Sequence, residues 1–287
     1  MTRVEAKQQF RRILDEGQRH GRRREAFQDL AKRDLWFSML YVFHREDADR
    51  DWVYARAREY QAAPDGYLDL WFREGYKSSI ITNCGIPWAL MTHPERTYGI
   101  VSHSRPIAKL FLRQIKQEIE QNRTLYEVAP DVFWEDPQND APKWSENDGI
   151  IVKRKGNPKE ATITAIGLIE GQPAGPHYSD LHYEDIVTRD ACRTPEALKN
   201  TDEMFKLSLN LQQEGGRKRA AGTRWHYADA YREIIKNGTL IPRIWTATKN
   251  GKLDGEPWLW SPEELQQRIR DYGPYVAAAH LFMDPTE

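Results

Sequence analysis

From residue 67 onward the chain alternates short β-rich runs with longer amphipathic ones, and few folds accommodate that pattern. Residues 67–72, 98–102, 161–169 and 180–187 read as strands, with 219–222 a shorter candidate. Pro106 suits the first turn of an intervening helix, where Ile107, Phe111, Ile115 and Ile119 recur every four residues as one apolar stripe. A second helix follows Thr194-Pro195, with Met204, Leu207 and Leu211 on its expected buried face. A third starts at Ser261-Pro262, where Glu264 completes a capping box with Ser261. Strands joined by helices of this length predict an α/β fold with a mostly parallel sheet covered on both faces. The stretch before residue 61 reads as helical, and 135–148, with two prolines, as an exposed loop or insertion.

The 287 residues suffice for one large α/β domain, or one domain plus appendages. A 39% hydrophobic content supplies a continuous core. No apolar run reaches the length of a bilayer span, and the polar N-terminus lacks a signal-peptide apolar region. Cys84 and Cys192 form no CxxC pair and no disulfide framework, which points to a reducing compartment. A net charge of −1 argues against a nucleic-acid coat but permits local grip. Three basic clusters could provide it: Arg22-Arg23-Arg24, Lys153-Arg154-Lys155 and Arg217-Lys218-Arg219. Each is equally what a solvated face looks like. Most of the ten tryptophans are expected in the core or at interfaces.

The sharpest local feature is Arg73-Glu74-Gly75-Tyr76-Lys77-Ser78, directly after the strand at 67–72. A phosphate-binding loop needs a strand, a tight turn, then a helix whose amino end faces the anion. A lysine there places a point charge on the phosphates, and the next hydroxyl ligates Mg²⁺. Lys77 and Ser78 fit these roles, and Ser79 is a neighbour of the same type. Tyr76 stands where the usual pattern has its second glycine, and Pro87 implies a short or kinked helix.

Such a site also needs two acids at a strand end, one to orient Mg²⁺ and one to position the attacking water. Glu184 and Asp185 are placed for this, in the order Glu-Asp where Asp-Glu or Asp-Asp is usual. A rival uses the same strand: Asp180, His182 and Glu184 share a face, with His177 nearby, and resemble a direct metal-ligand set. No HExxH or comparable spacing supports that rival.

Taken in order, the segments resemble the large subunit of tailed-phage terminases from about Leu35 onward. The matching stretches are residues 65–73 running into Lys77-Ser78, then 99–104 with Ala108-Lys109, 130–133 and 143–145. Glu184-Asp185 and Gly222-Thr223-Arg224-Trp225-His226 with Asp229 complete the series. The resemblance implies a P-loop sheet of the RecA/ASCE type flanked by helices, with an N-terminal helical extension. It implies Lys77 and Ser78 as phosphate and Mg²⁺ ligands within a loop that includes Gly75, Tyr76 and Ser79, with Arg73 a second positive group. It makes Glu184 the metal-site acid, Asp185 the catalytic carboxylate, and Thr223, with Arg224, the coupling segment. The nearest residue for holding adenine is Gln61. No arginine occupies 171–176, where relatives carry a trans-acting one, leaving Arg189, Arg193 or the 217–219 cluster as sources.

The expected organisation is a helical region at 1–60, an ATPase core at 61–250 and a helical linker at 251–287 toward a nuclease domain missing from this sequence. The resemblance implies ATP and Mg²⁺ as cofactors, and double-stranded DNA, a portal protein and a terminase small subunit as partners. It also implies self-association into a ring on the portal, in the host cytoplasm. Alternatives are another P-loop translocase or helicase, or a non-catalytic assembly or DNA-binding module with a degraded nucleotide site.

Overall fold

Eight strands form one sheet among the described residues, 1–170 and 175–285 of a computed structural model. They are β1 (Tyr67–Trp71), β2 (Tyr98–Ser102), β3 (Trp144–Ser145), β4 (Gly149–Ile150), β5 (Ile163–Gly167), β6 (Tyr178–Glu184), β7 (Gln212–Gly222) and β8 (Ile241–Trp245). Their order is β3-β4-β5-β2-β6-β7-β1-β8. The six from β5 to β8 run parallel, and β3 and β4 append antiparallel at one edge. The expected mostly parallel sheet is therefore present. β8 and the edge pair escaped the sequence reading because Ile241 and Ile244 of β8 are exposed, and two-residue strands carry no period.

Helices precede and flank the sheet. A hairpin of α1 (Arg3–Arg19) and α2 (Arg23–Arg33) leads into α3 (Leu35–Tyr41), then α4 (Asp51–Ala62). α3 is the most deeply placed: Asp34 caps it, and Leu35 through Met39 are buried. Phe10 from α1 meets Phe37 edge-on at 5.0 Å, tying the hairpin to this core. α5 (Gly85–Leu90) follows the phosphate-loop candidate, and α6 (Arg105–Gln121) packs on β2 and β5. Ala108, Leu112, Ile115 and Ile119 form its buried face, so the observed stripe is rotated from the predicted one. α7 (Arg123–Val128) and α8 (Pro137–Asp140) come next; α8 lies in the predicted, largely exposed 135–148 segment. α9 (Pro195–Ser208) buries Thr201, Phe205 and Ser208 and leaves Leu207 exposed, which corrects the predicted face.

α10 (Ala230–Lys236) and α11 (Pro262–Phe282) complete the set. The capping box of α11 forms as predicted. Its second half packs on the core: after a break at Gly273 (φ 71°, ψ 166°), Ala277, His280 and Leu281 are buried. The Leu281 carbonyl accepts from Ala247 N (2.7 Å), and the His280 carbonyl from Arg73 N (2.9 Å).

One face of β1 is charged at its centre. Asp69, fully buried, accepts from Arg219 Nε of β7 (2.7 Å) and Arg243 Nε of β8 (2.9 Å). α4 covers this face: carbonyls of Ala63 and Glu59 take further guanidinium hydrogens, and Arg56 stacks 3.5 Å over Trp245. The 217–219 cluster is thus not simply a solvated face, because Arg219 is 1% exposed.

Candidate nucleotide site

The carboxyl edge of the parallel strands is where α/β sheets offer a crevice, and the predicted loop lies there. Trp71 ends β1, and the loop turns back at Gly75, whose N–H reaches the Phe72 carbonyl (3.0 Å). A Cβ at Gly75 would stand 2.8 Å from that oxygen, so glycine is required by close approach. Trp52 Nε1 holds the Gly75 carbonyl from below (2.9 Å). Helix begins at Lys77, and its first bond closes from Ile80 N to the Tyr76 carbonyl (2.9 Å). The preceding amides are left facing outward from a helix start. A π-helical run, Ser79–Cys84, unwinds the chain ahead of Pro87, which then sits within α5. This is the predicted irregularity, absorbed without ending the helix.

β6 delivers the acids. In register, Glu184 lies beside Ser102 of β2 and Ala221 of β7. With β7 alone separating β6 from β1, the two carboxylates reach the loop. Lys77 Nζ lies 3.0 Å from Asp185 Oδ1, and Ser78 Oγ donates to Glu184 Oε2 at 3.0 Å. Thr82, one turn beyond Ser78, donates to Glu184 Oε1 through a short contact. Glu184 is fully buried, and burial drives its carboxyl up to about 7, opposed by Lys77 and reinforced by Asp185.

Backbone strain gathers at the same place. Glu74 (φ 69°), Tyr76 (φ 67°) and Asp185 (φ 45°) are three of the five non-glycine residues with positive φ among the described residues. Each costs about 1–3 kcal/mol unless its surroundings enforce it, and such residues concentrate at functional sites. Tyr76 therefore adopts a left-handed conformation that glycine enters without strain.

The other expected residues divide. Arg73 is exposed at the loop, and its charge, after burial, is the chief influence lowering the His280 imidazole to about 4. Thr223 is buried just beyond Gly222, the last residue of β7. Arg224 is not brought to the carboxylates: Nε pairs with buried Asp229 (2.8 Å), and a second nitrogen donates to the His226 and Tyr227 carbonyls (both 3.2 Å). Its guanidinium closes its own loop. Gln61 is also elsewhere. Its amide bridges the α2–α3 junction, donating to the Arg33 carbonyl (2.7 Å) and accepting from Leu35 N (3.0 Å). It lines a recess with Tyr98 and Asp180, at the amino ends of β2 and β6, on the opposite edge of the sheet. A different cleft borders the phosphate loop, about 510 Å³ between Tyr76, Ser79, Asp47, Arg50 and Trp260.

The metal-hydrolase rival finds no cluster: among the described residues no three His, Cys, Asp or Glu side chains gather around a cation position. His182 is buried, and burial lowers its imidazole to about 3. The 171–174 part of the arginine-free stretch lies outside the described residues.

Sequence reasoning missed Thr82 and His280. Thr82 was accessible in principle, because residues four apart share a helix face with Ser78. His280 was not; it arrives from 207 residues past Arg73, packed edge-on against Trp225 at 4.3 Å.

No protein-family model and no curated protein sequence matches the chain. Solved structures give a partial likeness. The HK97 bacteriophage large terminase superposes with a TM-score of 0.49 at 14% identity, over 76% of this chain and 46% of that one. A thermophilic bacteriophage large terminase in complex with ADP gives 0.47 at 11%, over 86% and 52%. A Thermus phage large terminase ATPase domain gives 0.48 at 14%, over 80% and 93%. The chain is thus similar to phage large terminases, and spans about half the length of the first two.

Proposed function

We propose that the chain is the ATPase motor of a viral DNA-packaging terminase, coupling Mg-ATP hydrolysis to movement of duplex DNA. One observation carries the reading: Lys77, Ser78, Glu184 and Asp185, from opposite parts of the sequence, meet at the carboxyl edge of a parallel sheet. The terminase assignment itself rests on the order of sequence segments, above all the Thr223–His226 run.

The residues fit a magnesium ion that arrives with nucleotide. Mg²⁺ takes hard oxygen ligands, usually one or two carboxylates plus phosphates. Glu184 and the Ser78 hydroxyl already adjoin at 3.0 Å, and a cation would offset the burial that drives the Glu184 carboxyl up. The ion would neutralise charge on the phosphates. Lys77 holds a positive amine at the same edge, and its bond to Asp185 is the one that entering phosphates would share. Asp185, 38% exposed at the side chain, is the carboxylate with access to water and the better placed to orient it. The cleft at Tyr76, Asp47 and Trp260 replaces Gln61 as the place for the base. Arg219 is tied to Asp69 and cannot serve as a trans-acting arginine, whereas Arg189 and Arg193 are exposed just past Asp185. Ring assembly, the portal, the small subunit and the host cytoplasm belong to this same proposal.

Equilibrium titration with a fluorescent ATP analogue should show Lys77→Ala binding at least tenfold more weakly than wild type. Phosphate release should fall by orders of magnitude in Asp185→Ala. Equal affinities would remove Lys77 from the site, and unchanged turnover would remove Asp185 from the chemistry. Turnover that duplex DNA and a portal partner together stimulate favours packaging over unwinding.

A further inference from the structure

We infer that the tip of the α1–α2 hairpin, with the groove beside it, is a docking surface for the phosphate backbone of duplex DNA. Residues 1–33 carry ten Lys/Arg against five Asp/Glu, in a chain whose net charge is −1. Arg11, Arg12, Arg19, Arg22, Arg23 and Arg24 are all exposed. Among the described residues, none of these six side chains has an ion-pair or hydrogen-bond partner. An arginine fork left open in this way matches phosphate oxygens bidentately.

The hairpin holds these charges on a stiff support. Gly17 lets α1 and α2 approach so closely that a Cβ there would lie 2.9 Å from that of Ala26. Gly21 (φ 69°) makes the turn at the tip. At the other end of α1, Arg3 pairs with Asp49 and Asp51, and Lys7 with Asp49. Asp47 and Arg50 of that same loop border the cleft next to the phosphate loop. The 17 residues of α1 span about 25 Å, so one end is anchored beside the nucleotide site and the charged end stands clear of it.

The basic surface extends past the tip, although Arg123 there is paired with Glu127 and Glu135. A groove of about 800 Å³ between α2 and α7 is lined by Arg23, Arg24, Arg123 and Tyr126. Lys153 sits 6.0 Å over the Tyr126 ring, which brings one lysine of the 153–155 run to the edge of this groove.

Chemistry favours a polyphosphate over an acidic protein. Protein interfaces are built around apolar or aromatic anchors. Between residues 5 and 33 no large apolar side chain is exposed among the described residues. Backbone phosphates require only fixed positive charge. The inference extends the motor reading but is measured independently of it, in the absence of nucleotide.

The test is fluorescence anisotropy of the full chain with mixed-sequence duplexes, between about 50 and 200 mM salt, where affinity falls by about 0.9 log units per log salt for each phosphate contact. Arg22→Gln/Arg23→Gln/Arg24→Gln should weaken binding equally for unrelated sequences and flatten the salt slope by about 2–3. The corresponding triple lysine variant should keep most of the slope, and DNA-free ATP turnover should be unchanged in both. An unaltered slope and affinity in the glutamine variant would overturn the inference. So would a wild type that ignores duplex DNA at low salt, or one that binds polyglutamate in its place. A Lys77→Ala protein that still binds DNA but hydrolyses nothing would keep this surface separate from the fate of the motor proposal.

Discussion

Replacing Asp69 with asparagine tests whether the sheet that carries the Lys77-Ser78 loop is held by a buried charged network. Asp69 is fully buried in the middle of β1 and accepts three guanidinium bonds, from Arg219 at 2.7 Å and from Arg243 at 2.9 and 3.3 Å. Burial pushes its carboxyl above the usual range, and the Arg219 guanidinium opposes that. Asparagine preserves the shape and one acceptor oxygen but strands two arginines that are 1% and 9% exposed. Removing one partner of a buried ion pair costs about 3–5 kcal/mol, and asparagine should fall near the lower end. At about 2 °C per kcal/mol for a chain of this size, the melting midpoint should drop by about 6 °C. Calorimetry and urea denaturation measure both quantities. The double variant Asp69→Asn/Arg219→Met should recover part of the loss, because it removes one stranded charge, and a double-mutant cycle isolates that coupling. A loss below about 1 kcal/mol, or a double variant as unstable as the two losses added, would refute the reasoning. Neither side chain reaches the carboxyl edge, so nucleotide affinity measured well below the midpoint should be preserved.

The Glu184 carboxyl, raised to about 7 from an ordinary 4.5, makes metal-free stability depend on pH in an unusual direction. The folded state keeps a proton that the unfolded chain releases, so stability falls as pH rises from about 4.5 to 7, by about 3 kcal/mol at most. Urea midpoints at pH 5 and pH 8 in chelator should show this slope in wild type and lose it in Glu184→Gln; equal slopes would place the titration elsewhere. At Gly273 the backbone (φ 71°, ψ 166°) lies in a region essentially reserved for glycine. Gly273→Ala should cost about 1–3 kcal/mol, and hydrogen exchange should localise the loosening to 274–282; protection unchanged there would argue against a strained break.

Local pattern was enough to single out the candidate phosphate loop and the acidic pair that meets it. A strand, a glycine turn and a Lys-Ser pair are contiguous, so residues 67–78 stood out as a candidate from nearest neighbours alone, and Glu184-Asp185 did so as a strand end. At Tyr76 the sequence shows only that a glycine is absent, whereas the backbone there is nonetheless left-handed. Gln61 and Arg224 lie away from the four residues that converge. Proximity along the chain suggested roles for both, but each side chain is consumed by backbone groups and a buried aspartate that only folding brings within reach.

The sequence by itself determined the alternation of strands and helices, the capped starts of α9 and α11, and the glycine turn with its Lys-Ser pair directly after β1, because periodicity, caps and turns act over a few residues. Tertiary structure alone decided that β7 separates β1 from β6, that Thr82 and His280 border the site, and that Arg219 lies buried against Asp69. It also decided that residues 274–282 dock beside the loop, where composition suggested linker. Those outcomes depend on strand order and on contacts across the chain, and no local pattern carries the free energy of closing them.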